Sequence, residues 1–198
     1  MTLTRVATST VPTPWGDFTC MAYRRSVDGV EHLAFTCGEL ASCVAPLVRA
    51  HSECLTGDVF GSRRCDCGPQ LHQSLTAIRA EGRGVLLYLR GHEGRGIGIG
   101  EKIRAYALQE TGIDTVDANV MLGHPVDARD YSDASAMLKD LGVSMVRLLT
   151  NNPDKTAALR RGGIEVVDRI PVLVAPTNDN AKYLSTKRDR LGHLLSQP

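Results

Sequence analysis

The sequence has almost no net charge and few aromatic side chains. Its 198 residues carry 23 Lys and Arg against 22 Asp and Glu, and aromatic residues make up only 5% of the chain. A nearly neutral protein has no global field that draws it onto nucleic acid or a membrane. Surfaces that bind nucleic acid also tend to need basic grooves and stacking rings. We therefore expect no nucleic-acid partner.

Long hydrophobic runs are also absent. The longest apolar run, at residues 85–89, is far too short to cross a bilayer. Residues 1–16 contain Thr, Pro and Arg where a secretory signal needs an apolar block. We therefore expect a soluble, cytoplasmic protein with no membrane partner. The hydrophobic content of 42% is ample for a buried core, so intrinsic disorder is not expected.

No internal repeat, low-complexity tract or linker divides the chain, so we expect one compact domain over residues 1–198. Short runs broken by Pro and Gly predict strands and turns up to about residue 48. Helix signals and apolar strands then alternate. We predict helices at 69–81, 101–109, 132–141 and 153–162, strands at 84–89, 144–149 and 165–174, and a last helix with Leu184, Leu191 and Leu195 on one face. This order predicts an α+β fold, strand-rich at first.

The six cysteines fall into two groups. Three of them, at positions 20, 37 and 43, are scattered, and we expect them to be ordinary packing residues rather than parts of a disulfide scaffold. The other three, Cys54, Cys65 and Cys67, are clustered. Three thiolates suit Zn²⁺, although the spacing is not that of a zinc ribbon. Both a catalytic site open to water and a structural site completed by His51 or His72 fit this spacing.

A second segment is rich in glycine. Glycines occupy every second position from Gly94 to Gly100, which matches neither the dinucleotide fingerprint nor the P-loop. Glycine lets the backbone approach a ligand closely, and Arg95 could form two hydrogen bonds with one phosphate. A phosphate-binding loop is one interpretation, and a hairpin with solvated charges is the other.

Two shorter motifs are weak when each is taken alone. Asp127 and Arg129 could form an ordinary surface pair. Asn152 and Pro153 are typical of a helix start, with Asn at the N-cap and Pro at the first position. Lys155 then falls in the first turn, where it opposes the helix dipole. A phosphate bound at this helix start would explain that placement.

Taken together, these segments resemble GTP cyclohydrolase II, which opens the purine ring of GTP at the start of riboflavin synthesis. The resemblance spans nearly the whole chain and includes residues 12–16, 49–58, 64–68, 91–96, 102–106, 114–119, 150–153 and 186–187. Departures are slight: Ala50 stands where Val is expected, and the Gly-Arg loop is similar to that of fused riboflavin enzymes. Because no synthase domain fits in this length, we expect a stand-alone enzyme.

The resemblance implies that Cys54, Cys65 and Cys67 bind one Zn²⁺ per chain and that its water attacks C8 of guanine. Tyr106 would orient groups near C8. The expected products are formate, pyrophosphate and 2,5-diamino-6-ribosylamino-4(3H)-pyrimidinone 5′-phosphate. A variant that opens the ring but retains the formyl group is one alternative. A non-catalytic zinc or GTP-binding module is less favoured.

The resemblance also implies roles at the phosphates. Asp127 would be the general base, and Arg129 the nucleophile on the α-phosphorus in a covalent guanylyl enzyme. A guanidinium has a pKa above about 12 and is a poor nucleophile, so stabilisation of the phosphate by Arg129 is an open alternative.

Further residues are implied by matching motifs to contact GTP. They are Arg49, Ala50, His51, Ser52, Glu53, Gln70, Glu93, Gly94, Arg95, Thr115, Thr150 and Lys155. Mg²⁺ would accompany the triphosphate, although no ligand for it can be identified. Members of this family are typically dimeric, so we expect a homodimer.

Overall fold

A computed structural model describes residues 2–195, which form a seven-stranded mixed sheet and seven α-helices. The strands are β1 (Leu3–Thr13), β2 (Gly16–Arg25), β3 (Glu31–Cys37), β4 (Leu47–Ser52), β5 (Gly84–Leu89), β6 (Met145–Leu149) and β7 (Glu165–Ile170). The helices are α1 (Leu55–Asp58), α2 (Cys67–Glu81), α3 (Ile99–Glu110), α4 (Thr115–Met121), α5 (Ser132–Asp140), α6 (Pro153–Arg161) and α7 (Ala181–Leu191), and a 3₁₀ turn spans Glu93–Arg95.

The sheet changes from antiparallel to parallel at its centre. Its strand order is β1-β2-β3-β5-β4-β6-β7. Strands β1, β2, β3 and β5 pair antiparallel, whereas β4 pairs parallel with both β5 and β6. The carboxyl ends of β4, β5 and β6 therefore lie at one edge, where ligands bind in many α/β proteins. The segments that leave this edge begin at residues 53, 90 and 150 and carry the motifs singled out in the sequence.

Alternation along β4 separates two cores. Val48 and Ala50 point into a core that includes Met137 of α5. Leu47 belongs to a second core on the opposite face, with Ile78 of α2. Because successive side chains of a strand alternate between faces, Arg49 and His51 lie on the α2 face with Leu47. This alternation places two polar side chains beside the edge where β4 ends.

The predicted fold class is confirmed, and the helix boundaries differ in detail. Helix α2 begins at Cys67 rather than Pro69, and the last helix ends at Leu191, before Leu195. Helix α4 was not predicted. Its N-cap is Asp114, whose carboxylate accepts hydrogen bonds from the backbone amides of the second and third helical residues at 2.8 and 3.0 Å.

Two further features concern the cysteines and the lengths of the helices. All six cysteines are free thiols, and Cys37 is buried while Cys20 and Cys43 are partly exposed. Within residues 2–195, no helix has both the length and the apolar character that crossing a bilayer requires.

Candidate active site

A cleft opens at the carboxyl edge of β4, β5 and β6. It brings together most of the site residues expected from the sequence, although these come from distant segments. Those that line it are Arg49, His51, Ser52, Glu53, Cys54, Cys67, Gln70, Glu93, Gly94, Arg95, Tyr106, Thr115, Arg129, Thr150 and Lys155.

Three expected residues do not line the cleft themselves. The side chain of Ala50 is fully buried in the core on the opposite face of β4, so only its carbonyl is used, as acceptor from Lys155 Nζ at 2.6 Å. Asp127 lies behind Arg129 and binds its guanidinium. Cys65 is buried beside the other two cysteines.

The clustered cysteines converge in space. The Sγ atoms of Cys54, Cys65 and Cys67 all lie within 4.8 Å of one another. Helices α1 and α2 approach closely here through two glycines. A Cβ on Gly57 would lie 2.9 Å from Cys65 Sγ and 3.2 Å from Cys54 Sγ, and a Cβ on Gly68 would lie 2.4 Å from the Gly57 carbonyl oxygen. Three soft donors held this close fit the chemistry of Zn²⁺.

Neither candidate histidine joins this trio in the described part of the chain. His51 Nε2 lies 3.0 and 3.1 Å from the carboxylate oxygens of Asp58. The same carboxylate accepts hydrogen bonds from the Cys54 backbone amide and the Tyr88 hydroxyl, at 3.0 and 2.9 Å. The ring of His72 packs against Trp15 instead. The geometry therefore favours a site with three protein donors over a closed structural site.

Lys102 is a buried cation at the edge of the trio. Its Nζ donates to Cys54 Sγ at 3.1 Å, to Thr56 Oγ1 at 2.8 Å and to Glu93 Oε1 at 2.5 Å. Hydrogen bonds from Cys65 and Cys67, together with the charge of Lys102, hold the pKa of the Cys54 thiol well below its ordinary value. The arrangement thus favours a thiolate at Cys54.

The Gly-rich segment forms a 3₁₀ turn, Glu93–Arg95, that contributes Arg95 to the lining of the cleft. Arg95 itself has φ of +66°, a conformation that is unusual for a residue other than glycine. Its NH1 and NH2 atoms are buried, and neither has a hydrogen-bond partner among residues 2–195. Since burying unpaired charged donors is costly, these atoms point to an anionic ligand.

Further positive charge surrounds Lys155. Burial and the nearby charges of Arg49, Arg129 and Lys187 lower the pKa of Lys155 well below its ordinary value. The Lys155 ammonium donates to a carbonyl oxygen rather than to a carboxylate. A bound anion would relieve the repulsion among these cations.

Several residues of the cleft were given no role on the basis of the sequence. His92 and Lys102 lie inside motifs that were recognised, and Lys187 lies in the 186–187 match. Tyr183 and His193 were not singled out. No local pattern marks these two, because they reach the cleft only through the packing of the C-terminal segment.

The fold and the cleft together define a class of protein: α/β enzymes that hold a cysteine cluster and a group of cations in one cleft. Comparison with known proteins identifies the family within that class. The chain belongs to the GTP cyclohydrolase II family, whose model matches residues 4–171. The resemblance drawn from the motifs is thereby confirmed.

Relatives with curated names act in riboflavin biosynthesis. The chain is 53% identical over 190 residues to the bifunctional riboflavin biosynthesis protein RIBA 1, chloroplastic, of Arabidopsis thaliana, covering 96% of this chain and 35% of the relative. It is 54% identical over 196 residues to the riboflavin biosynthesis protein RibBA of Mycobacterium tuberculosis, covering 97% and 46%. The chain therefore spans less than half the length of these relatives.

Among solved structures, RibBX, a two-domain 3,4-dihydroxy-2-butanone 4-phosphate synthase from A. baumannii, matches 88% of this chain and 41% of its own. The TM-score is 0.48 and the sequence identity is 21%. Similarity at this level carries no inference about function.

The close approach of Gly57 to the sulfurs gives a first testable prediction. We expect Gly57→Ala to weaken Zn²⁺ binding about tenfold or more, because the added Cβ forces the cysteines apart. Competition with a chromogenic chelator measures the affinity. Gly100→Ala is the matched control, because a Cβ there meets nothing within 4 Å. Equal affinities for the two variants would contradict the prediction.

The buried His92 gives a prediction about pH. Burial and the charges of Arg129 and Lys155 lower the pKa of His92 to about 3. A histidine in an unfolded chain titrates near about 6.5. Between these values only the unfolded chain binds the proton, so the stability contributed by His92 falls as the pH decreases through this window.

Imidazole NMR measures this titration directly. We expect the His92 ring to stay neutral at pH 5, whereas a midpoint near about 6.5 would contradict the buried environment. Inorganic triphosphate should raise the midpoint, because its negative charge offsets Arg129 and Lys155. An unchanged midpoint at saturating triphosphate would place the anion elsewhere.

Proposed function

We propose that the chain hydrolyses GTP. It opens the imidazole ring and releases formate and pyrophosphate, giving 2,5-diamino-6-ribosylamino-4(3H)-pyrimidinone 5′-phosphate, the first step of riboflavin biosynthesis. The observation that carries this proposal is the pairing of two features in one cleft: a trio of thiols, and buried cations that lack anionic partners. Membership of the GTP cyclohydrolase II family supports the choice of GTP.

The cations suit a triphosphate. The two unpaired nitrogens of Arg95 can donate to one phosphate, and Lys155 supplies a second contact deeper in the cleft. Mg²⁺ would neutralise further charge on the phosphates. In the part of the chain that is described, the cysteines are the group of three side chains fit for a metal. The phosphate oxygens and water would therefore supply most of the oxygen ligands that Mg²⁺ needs.

The cysteines suit zinc. Cys54, Cys65 and Cys67 would hold Zn²⁺, which acts as a Lewis acid and lowers the pKa of a bound water to about 7. Lys102 stabilises the sulfur of Cys54 by a hydrogen bond at 3.1 Å, and Glu93 balances the charge of Lys102. These hydrogen bonds orient the Cys54 sulfur even without a bound metal.

We assign to Tyr106, which lines the cleft, the role of orienting the purine. The Arg64 guanidinium lies 4.8 Å from the centre of its ring, and Lys102 Nζ lies 5.6 Å from it. Burial raises the pKa of Tyr106. The phenol therefore keeps its proton at neutral pH and can donate a hydrogen bond to the base.

For Arg129 we favour stabilisation of phosphate over covalent attack. Its Nε and NH2 donate to the two carboxylate oxygens of Asp127 at 2.9 and 2.5 Å. Although burial disfavours its charge, the hydrogen bonds that it donates to Asp127 hold the pKa of Arg129 above its ordinary value. A guanidinium held in its charged form has no free electron pair for the α-phosphorus, but it can stabilise developing negative charge.

Assembly and location stay predictions. The homodimer and the cytoplasmic location were expected from the resemblance and from composition. The plant relative is named as chloroplastic, so the compartment differs among related proteins.

A product assay tests the function. With GTP, Mg²⁺ and Zn²⁺ we expect equal amounts of formate and pyrophosphate, and ATP should react at least about a hundredfold more slowly because adenine leaves buried polar groups unpaired. Cys54→Ser should lose the metal and ring opening. Absence of any product from GTP would refute the proposal, and pyrophosphate without formate would identify the variant that retains the formyl group.

Arg129→Lys tests the role at the phosphate. Lysine keeps the charge but cannot form the two bonds with Asp127, so we expect kcat/KM to fall by about 10- to 100-fold, the worth of a charge-assisted hydrogen bond. Steady-state kinetics measure the change. Intact-protein mass spectrometry of the quenched wild type should reveal no guanylyl adduct. Normal turnover by the variant, or a stoichiometric adduct in the wild type, would contradict stabilisation.

A further inference from the structure

The C-terminal segment covers the cleft but lies beyond the residues that the family model matches, which end at 171. Helix α7 contributes Tyr183 and Lys187 to the cleft lining, and His193 follows the helix. The amide of Leu194 donates to the Asn151 carbonyl at 2.9 Å, so the chain crosses back over the end of β6. This segment therefore forms a wall of the cleft that lies outside the residues matched by the family model.

Polar contacts hold this wall in place. Leu184 is the buried hydrophobic residue of α7, and most of the helix is otherwise polar. Lys182 Nζ donates to the Gly112 carbonyl, and Arg190 pairs with Asp114 and Asp117. These contacts are exposed, and exposed pairs contribute little to stability. A helix with so small an apolar face depends on its buried polar contacts to stay docked.

One such contact joins α7 to the turn between Cys65 and Cys67. Lys187 Nζ donates to Asp66 Oδ1 at 2.7 Å, and both residues are buried. Among the ion pairs that α7 makes with the rest of residues 2–195, this is the buried one. Asp66 stands between Cys65 and Cys67 in sequence and is the N-cap residue of α2. The pair therefore connects the C-terminal wall directly to the turn that carries two of the thiols.

The same carboxylate extends the connection to the floor of the cleft. Gln70 Nε2 donates to Asp66 Oδ2 at 2.6 Å, and Arg49 NH2 donates to Gln70 Oε1 at 2.7 Å. Arg49 NH1 in turn donates to the carbonyl of Leu149 at the end of β6. A continuous row of buried hydrogen bonds thus runs from Lys187 to two residues that the resemblance assigns to GTP binding.

We infer that Lys187 is a positioning residue: its ion pair with Asp66 latches α7 over the cleft and aligns Gln70 and Arg49 for the nucleotide. This inference depends on the proposed function only for the identity of the ligand. Docking of α7 is a property of the free protein. Breaking the pair leaves the Asp66 carboxylate buried without its counter-charge, so α7 should open and the row should lose its alignment.

Two measurements on the full chain test this inference. Hydrogen exchange followed by mass spectrometry reports the opening of residues 181–191 without nucleotide, and calorimetry reports the affinity for a non-hydrolysable GTP analogue. We expect Lys187→Met to speed hydrogen exchange in α7 at least tenfold and to leave exchange in the centre of α2 unchanged. The affinity for the GTP analogue should fall about tenfold. In turnover, KM should rise more than kcat falls.

Matched variants make the outcome decisive. Arg188→Met is the control, because Arg188 pairs with its neighbour Asp189, and it should behave as the wild type. Lys187→Arg should restore most of the protection and affinity. The double variant Asp66→Asn with Lys187→Met removes both charges and should fold even if the single variant does not.

Wild-type exchange and affinity in Lys187→Met would overturn the inference, as would equal losses in Arg188→Met. If the wild type fails to hydrolyse GTP, the proposed function fails, while the exchange data without nucleotide still decide whether Lys187 latches α7.

Discussion

The parallel pairing of β4 with β5 and β6 is the constraint on which the site depends. It brings three strand ends to one edge, so that the segments after residues 52, 89 and 149 meet although the sequence separates them widely. Antiparallel pairing of β4 would send one of these segments to the opposite edge. The crossover from β4 to β5 runs through α1 and α2, so the segment that carries the clustered cysteines begins at this edge. The Arg95 turn follows β5 and the start of α6 follows β6, so both reach the same cleft.

Charge is distributed unevenly within this cleft. At the thiol side, each cation has an acidic or sulfur partner, as Lys102 has in Glu93 and Cys54. Elsewhere in the cleft, the NH1 and NH2 atoms of Arg95 and the ammonium of Lys155 are buried without such partners. The fold keeps these cations in place through packing and through carbonyl acceptors. A bound polyanion would relieve the repulsion among them, and this relief would contribute to its affinity.

The predictions of helices and strands were correct where the sequence signal was local. Gly82 ends α2 in the left-handed conformation, with φ of +74°, and Asn152 caps α6 through its side chain, as their positions in the sequence indicated. Helix α4 was missed because its only strong signal, the Asp114 cap, precedes a helix of seven residues. The beginning of α2 was misplaced because Cys67, a metal-type residue with no helix signal, occupies its first turn.

The sequence by itself determined the chemical inventory: three clustered thiols, an arginine among glycines, a lysine at a helix start, and enough ordered motifs to indicate the family. It could do so because residue types and short spacings are local properties. Only the tertiary structure decided that His51 binds Asp58 rather than joining the cysteines, that Ala50 faces away from the cleft, and that Lys187 reaches Asp66 across more than a hundred residues. Those outcomes depend on strand register and helix docking, which arise from packing between distant segments and leave no mark on the residues involved.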